Sequence, residues 1–122
     1  MINSLTLSLA SSSSGAVAQN ATTYTIGVPF SFCEGFAAAI VTVSAGSVTI
    51  SQQCSKDNIS WFDAVDGTDT ALGVVCTAMS AGTKYIQFDP VLSNFIRFKI
   101  VELNVASTTV GMQFLFLEKK QG

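Results

Sequence analysis

The feature that most constrains this 122-residue chain is the alternation of apolar and polar side chains in several short segments. In NFIRFKIVEL, Ile96, Phe98 and Ile100 alternate with the basic residues Arg97 and Lys99. Successive side chains of a β-strand point to opposite faces of a sheet, so this pattern predicts a strand with one buried and one wet face. The same alternation recurs in SLTLSL, SVTIS and TVGMQFLFLE.

Clusters of turn-forming residues separate these segments, among them SSSSG, SAGS, KDN, DGTD and SAGT. Short strands with a turn every ten or so residues predict an all-β, antiparallel sandwich or barrel of about eight strands. The Ala-rich segment GFAAAIVTV is assigned to a strand because β-branched residues follow its alanines. We expect a core on two adjacent antiparallel strands, formed by Ile96, Phe98, Ile100, Met112, Phe114 and Phe116.

The N-terminal segment differs from the rest of the chain. Residues 1–23 carry no charge, and residues 10–23 are too polar and too small to bury much apolar surface. We therefore divide the chain into an N-terminal arm or strand plus a flexible tether, residues 1–23, and a β-sandwich domain, residues 24–122. Leu5, Leu7 and Leu9 form one face of a strand that can close its own sheet or cross to another subunit, and we favour contact with another subunit.

The segment SQQCSKDNISWFDAVDGTDT holds the only Trp of the chain and four of its eight acidic residues. Asp57 and Asn58 predict a tight turn, since both side chains bond their own backbone. Trp61 and Phe62 follow and face opposite ways; we expect Trp61 in the core and Phe62 against a loop or a partner. The alternative is an exposed Trp61 that stacks on a sugar. The acidic spacing is not that of a calcium loop and indicates solvated turn residues.

Composition argues against several function classes. The net charge is −2 with only six Lys and Arg residues, which is unlike a nucleic-acid-binding face, although Arg97 and Lys99 share one strand face. No apolar run reaches the roughly 18 residues that a membrane helix needs. The absence of basic residues before Lys56 argues against a cleaved secretory signal.

The chain also lacks the residues that catalysis commonly needs. It has no His, so a Ser/His or Cys/His nucleophile cannot form within it, and we expect no enzyme activity and no cofactor. Cys33, Cys54 and Cys76 lack metal-ligand spacing, so we expect no metal and three free thiols, which is typical of synthesis in a cytoplasm. Charged residues are only 11% of the chain against a typical ~25%, so either neutral polar residues or other chains cover its surface.

Two segments carry a resemblance to a known class of protein. Ser55, Asp57, Trp61 and Asp63 form a Ser-x-Asp-x-x-x-Trp-x-Asp pattern. The later residues Phe88, Phe95, Ile96, Arg97, Phe98, Lys99 and Ile100 form an aromatic and basic pattern before the last strand. Over residues 40–117 the order of these segments resembles that of small bacteriophage virion proteins. Similar segments occur in jelly-roll carbohydrate-binding modules.

The resemblance implies a jelly-roll-like β-sandwich and a structural role. A capsid decoration (cement) protein of this kind would stabilise the phage head by bridging neighbouring major capsid subunits. It would be a homo-oligomer, a trimer or a dimer, on the capsid surface of the virion after synthesis in the host cytoplasm, with no nucleic acid or membrane partner. Candidate interaction residues are Leu5, Leu7, Leu9, Trp61 and Phe62. The alternative is a glycan-binding β-sandwich module or a tail or adhesin component.

Overall fold

The computed structural model describes residues 2–9, 14–30 and 33–118, which form an all-β structure without a helix. An antiparallel sheet of nine strands curls on itself as in a β-sandwich or jelly-roll-like fold, so the predicted fold class is confirmed. In chain order the strands are β1 (Ile2–Leu7), β2 (Ala16–Val17), β3 (Thr22–Tyr24), β4 (Val28–Pro29), β5 (Cys33–Ser55), β6 (Phe62–Asp63), β7 (Val74–Phe88), β8 (Phe95–Glu102) and β9 (Thr108–Glu118).

The central strand is β5, which contains 23 residues and belongs to both halves of the sheet. Its first half pairs with β9 and its second half with β8, while β7 pairs with both halves. Between Val43 and Ser47, residues 44–46 of β5 lie opposite Ala81 alone on β7, so β5 bends there. Gly46 has a φ of +72° at this bend, a conformation that favours glycine.

The bend brings β8 and β9 face to face across the core. Ring centroids of Phe98 on β8 and Phe114 on β9 lie 5.6 Å apart, and Phe88 packs edge-on against Phe98 at 5.9 Å. The predicted core residues are all buried: Ile96, Phe98, Ile100, Met112, Phe114 and Phe116. The prediction that their two strands are adjacent is wrong, because each strand pairs with a different half of β5.

The N-terminal strand closes the chain's own sheet. β1 pairs with β9 along its whole length, from Ile2 opposite Leu117 to Leu7 opposite Met112. Leu7 and Leu9 are buried in the core, while Leu5 is 37% exposed. The expectation that Leu7 and Leu9 contact another subunit is therefore corrected, since burial within their own chain already removes their surface from water.

The expected tether also contains strands where the structure describes it. β2 pairs with β9, and Val17 on β2 is buried. β3 pairs with β8, so the proposed domain boundary after Thr23 falls inside a strand. Residues 10–13 lie outside the described residues, and residues 14–23 belong to the same sheet as the sandwich.

A buried carboxylate, that of Glu102, occupies the corner where β8 ends and β9 begins. Four backbone N–H groups donate to its two oxygens: Asn20 at 2.9 Å, Ser47 at 3.1 Å, Val105 at 3.0 Å and Ala106 at 3.4 Å. Burial raises the pKa of this carboxyl, but the four N–H groups lower it more, and the pKa is about 2. The carboxylate thus joins the segment before β3, the bend of β5 and the β8–β9 loop.

Replacing Phe98 with alanine is expected to lower the free energy of unfolding by about 3–5 kcal/mol, because the fully buried ring leaves a cavity. Chemical denaturation measures the change. Ile59→Ala, at an exposed position, is the matched control and should change stability by less than about 0.5 kcal/mol. An unaltered denaturation midpoint in the Phe98 variant would contradict the strand register described above.

The Glu102 carboxylate should make stability sensitive to acid. Its pKa falls from 4.5 to about 2 on folding, so the unfolded chain takes up the proton more readily and stability is lost as pH falls from about 4.5 through 2. Glu102→Gln should lower the melting temperature at pH 7 and flatten the fall in stability below pH 4.5. Asp89→Asn, which removes an equal charge from an exposed position, is the control. Parallel stability curves for Glu102→Gln and the unmodified protein would refute this role.

Candidate functional site

The turn between β5 and β6 is built by the side chains of Ser55 and Asp57. The Ser55 hydroxyl accepts the backbone N–H of Asn58 at 2.9 Å. One oxygen of Asp57 accepts the N–H groups of Ile59 and Ser60, both at 2.9 Å, and these bonds lower the pKa of that carboxyl. The predicted tight turn is confirmed, and the Asp57 carboxylate is engaged in holding it.

The next acidic loop uses the same chemistry. One oxygen of Asp66 accepts the backbone N–H groups of Thr68 and Thr70, at 2.7 and 3.1 Å, and also the Thr68 hydroxyl. These bonds lower the pKa of Asp66, with the Thr68 hydroxyl the largest contributor. Asp57 and Asp66 are therefore turn-forming residues on the surface, as the sequence predicts.

Trp61 does not lie in the core, which corrects the prediction for this residue. Its indole is half-buried on the outer face of the sheet, where the guanidinium of Arg97 lies 4.6 Å from a ring centroid. The guanidinium also lies over the ring of Tyr24, whose centroid is 4.1 Å away. A Cβ on Gly27 would lie 2.7 Å from the Trp61 ring, so the absence of a side chain there lets the indole approach the backbone.

A series of polar contacts also runs from Arg97 across three strands, β8, β5 and β6. Its Nε donates to the Gln53 side chain at 2.7 Å, and Gln53 Nε2 donates to Asp63 at 2.8 Å. The second oxygen of Asp63 lies 3.6 Å from the Lys99 ammonium. The hydrogen bond from Gln53 and the charge of Lys99 lower the pKa of Asp63. We call Tyr24, Arg97, Trp61 and Gln53 the arginine cluster.

An open groove with a volume of about 450 Å³ lies where β5 ends, between β6 and the residues that precede β8. Phe62 and Leu92 form its apolar rim; Phe62 is 67% exposed and Leu92 is 98% exposed. The other lining residues are Cys54, Ser55, Lys56, Ser93 and Asn94. Phe62 thus lies outside the core, as predicted, and the structure brings it together with a leucine that the sequence analysis did not single out.

The loop that carries Leu92 is held in place by the buried side-chain amide of Gln52. Gln52 is fully buried, and its side chain donates to the Val91 carbonyl at 3.2 Å and accepts the Val91 N–H at 3.1 Å. The backbone N–H of Ser55 donates to the Ser93 hydroxyl at 3.1 Å on the other side. Both neighbours of Leu92 are therefore held, and the leucine side chain is presented to solvent.

The arginine cluster could not be found by sequence reasoning alone. Gln53 lies opposite Arg97 and Asp63 lies opposite Gln53 only once β5 has paired with β8 and β6. The outward position of Arg97 on its strand was predictable, but its aromatic partners come from distant segments. Alternation identifies which face a residue lies on, and it does not identify the neighbouring strand.

The two described thiols show no sign of reactive chemistry. Cys54 and Cys76 are free and half-buried, and burial raises the pKa of both thiols. A raised pKa lowers the thiolate fraction, which is the nucleophilic form. The side chain of Cys33 lies outside the described residues.

No family model matches this chain, and no curated protein matches it significantly. Within the described residues, no helix is long and apolar enough to cross a membrane. In the same part of the chain, no group of three or more potential metal-ligating side chains is assembled.

Gln52→Ala should free the loop that carries Leu92, because both polar groups of Val91 lose their partner. The expected cost is about 1–3 kcal/mol, seen as about five- to 150-fold faster hydrogen exchange of the Val91 N–H. Gln87→Ala, an equal truncation at an exposed position, should leave that exchange rate unchanged. Equal Val91 exchange rates in both variants would show that the amide does not hold the loop.

Proposed function

We propose that this chain is a structural binding protein, a bacteriophage capsid decoration protein that attaches to the major capsid protein and bridges neighbouring subunits. The observation that carries the proposal is the exposed apolar rim of Leu92 and Phe62. A clamped loop holds Leu92 in solvent, where it adds nothing to the stability of the single chain. Burial of these two side chains under another protein surface contributes about 1.5–3 kcal/mol of binding free energy for each side chain.

The composition of the surface supports the same proposal. Charged residues make up only 11% of the chain, so little electrostatic repulsion opposes close packing against other subunits. A homo-oligomer, a dimer or a trimer, located on the capsid surface after synthesis in the host cytoplasm, agrees with this surface. The proposed activity is binding without catalysis. The contact surface is the groove rim, since Leu7 and Leu9 are committed to the core.

The glycan-binding alternative has less support. It needs a free Trp61 ring face flanked by the carboxylates of Asp57 and Asp63. The Arg97 guanidinium lies over the Trp61 ring, and the Asp57 carboxylate bonds the backbone of its own turn. Asp63 is bonded to Gln53 and paired with Lys99. Arg97 therefore occupies one face of the Trp61 ring, and one oxygen of Asp57 and both oxygens of Asp63 are already engaged within the chain.

Cosedimentation with expanded capsids of the virus that encodes the chain tests the proposal. The unmodified protein should bind saturably. Leu92→Ser together with Phe62→Ser should weaken binding by about a hundredfold or more, since each of the two lost burials is worth more than the ~1.4 kcal/mol of a tenfold change. Both positions are exposed, so the free energy of unfolding should change little.

A matched control is Ile59→Ser together with Val65→Ser, which removes two exposed apolar side chains that do not line the groove. This variant should bind capsids as the unmodified protein does. Absence of saturable capsid binding by the unmodified protein would refute the decoration role. Equal binding by the two double variants would place the contact elsewhere on the surface.

A further inference from the structure

Arg97 is the only arginine of the chain, and it lacks a carboxylate partner among the described residues. The one ion pair found there joins Lys99 to Asp63. The two oxygens of Asp63 are instead engaged by Gln53 and Lys99. A partly buried guanidinium is usually paired, because its desolvation cost is otherwise uncompensated.

The terminal nitrogens of Arg97 are open to a ligand. Within the described residues, the hydrogen bond donated by its side chain is that from Nε to Gln53. No buried side-chain nitrogen or oxygen lacks a partner in that part of the chain, so the two terminal amino groups of this half-buried residue reach solvent. They present N–H donors in the fork geometry that matches two oxygens of one anion.

The Arg97 guanidinium is also held in place within the chain itself, before it binds any ligand. Tyr24 and Trp61 contact the guanidinium through their rings, at 4.1 and 4.6 Å, and Gln53 fixes its Nε. An arginine side chain that is already ordered loses less conformational entropy on binding than a free one. Partial removal of water by the two rings also strengthens the attraction to an anion.

We propose that Arg97 binds the carboxylate of an Asp or Glu side chain on the major capsid protein, an inference that rests on the proposed function. The charges of Arg97, Lys99 and Asp63 leave one net positive charge at the site, which matches a singly charged carboxylate better than a phosphate dianion. Trp, Tyr and Arg are the residues most enriched at the energetic centres of protein interfaces. Ile26, two residues after Tyr24 in the chain, is an exposed apolar side chain, which favours a protein surface over an acidic sugar.

The carboxylate site is tested first on the unmodified protein. Acetate is titrated against chloride at equal ionic strength while the side-chain N–H signals of the single arginine are followed by NMR. A saturable shift with acetate supports the site, and a response equal to that of chloride overturns it. Tighter binding of inorganic phosphate than of acetate would overturn the choice of a carboxylate. Tighter binding of glucuronate than of N-acetyl-aspartate amide would overturn the choice of a protein side chain.

Capsid binding then tests the role in the partner interface, and this step rests on the proposed function. Arg97→Lys keeps the charge but loses the planar fork, and should weaken capsid binding at least tenfold. Lys84→Gln, which removes a charge from the exposed face of β7, is the control and should bind normally. Normal capsid binding by a folded Arg97→Lys variant would overturn the inference and leave the decoration role standing. A saturable acetate shift without capsid binding by the unmodified protein would support the carboxylate site and refute the decoration role.

Discussion

The fold depends on how a buried, negatively charged carboxylate is stabilised by hydrogen bonds. Glu102 has no basic side chain paired with it among the described residues, and four backbone N–H groups take that place. Those groups belong to three separate segments, so the carboxylate fixes the point at which β8 leaves β5 and β9 takes over. An unpartnered charge there would be costly, which makes the relative placement of the three segments specific as well as stable.

The sequence predicted local structure well and long-range structure poorly. Alternation in the last two strands identified which residues face inward, because the period of two depends on the backbone alone. It could not show that these strands lie on opposite halves of the sandwich, since this depends on the bend of β5. Trp61 was placed wrongly for a related reason. A large aromatic residue gains from burial, but the guanidinium of Arg97, on a strand beyond β5, gives the indole a favourable contact outside the core.

The shortest of the functional elements, β6, connects the two surface features. Phe62 on this two-residue strand lines the groove, while Asp63 joins the polar contacts that lead to Arg97. Adjacent strand residues point to opposite sides, so two residues are enough to serve both features. The sequence indicated the importance of this segment through its Trp and its acidic residues, and it gave no sign of Tyr24 or Leu92, which arrive from other parts of the chain.

The long central strand also has a consequence for how the protein is made. One of the two partners of its first half is β9, the last of the nine strands described, which also pairs with β1 and β2. A chain emerging from the ribosome cannot complete this half of the sheet until the residues of β9 are available. Contacts between such distant segments slow folding and leave strand edges bare in the meantime. Until β9 is made, the nascent chain therefore exposes the edge of β5 that β9 later covers.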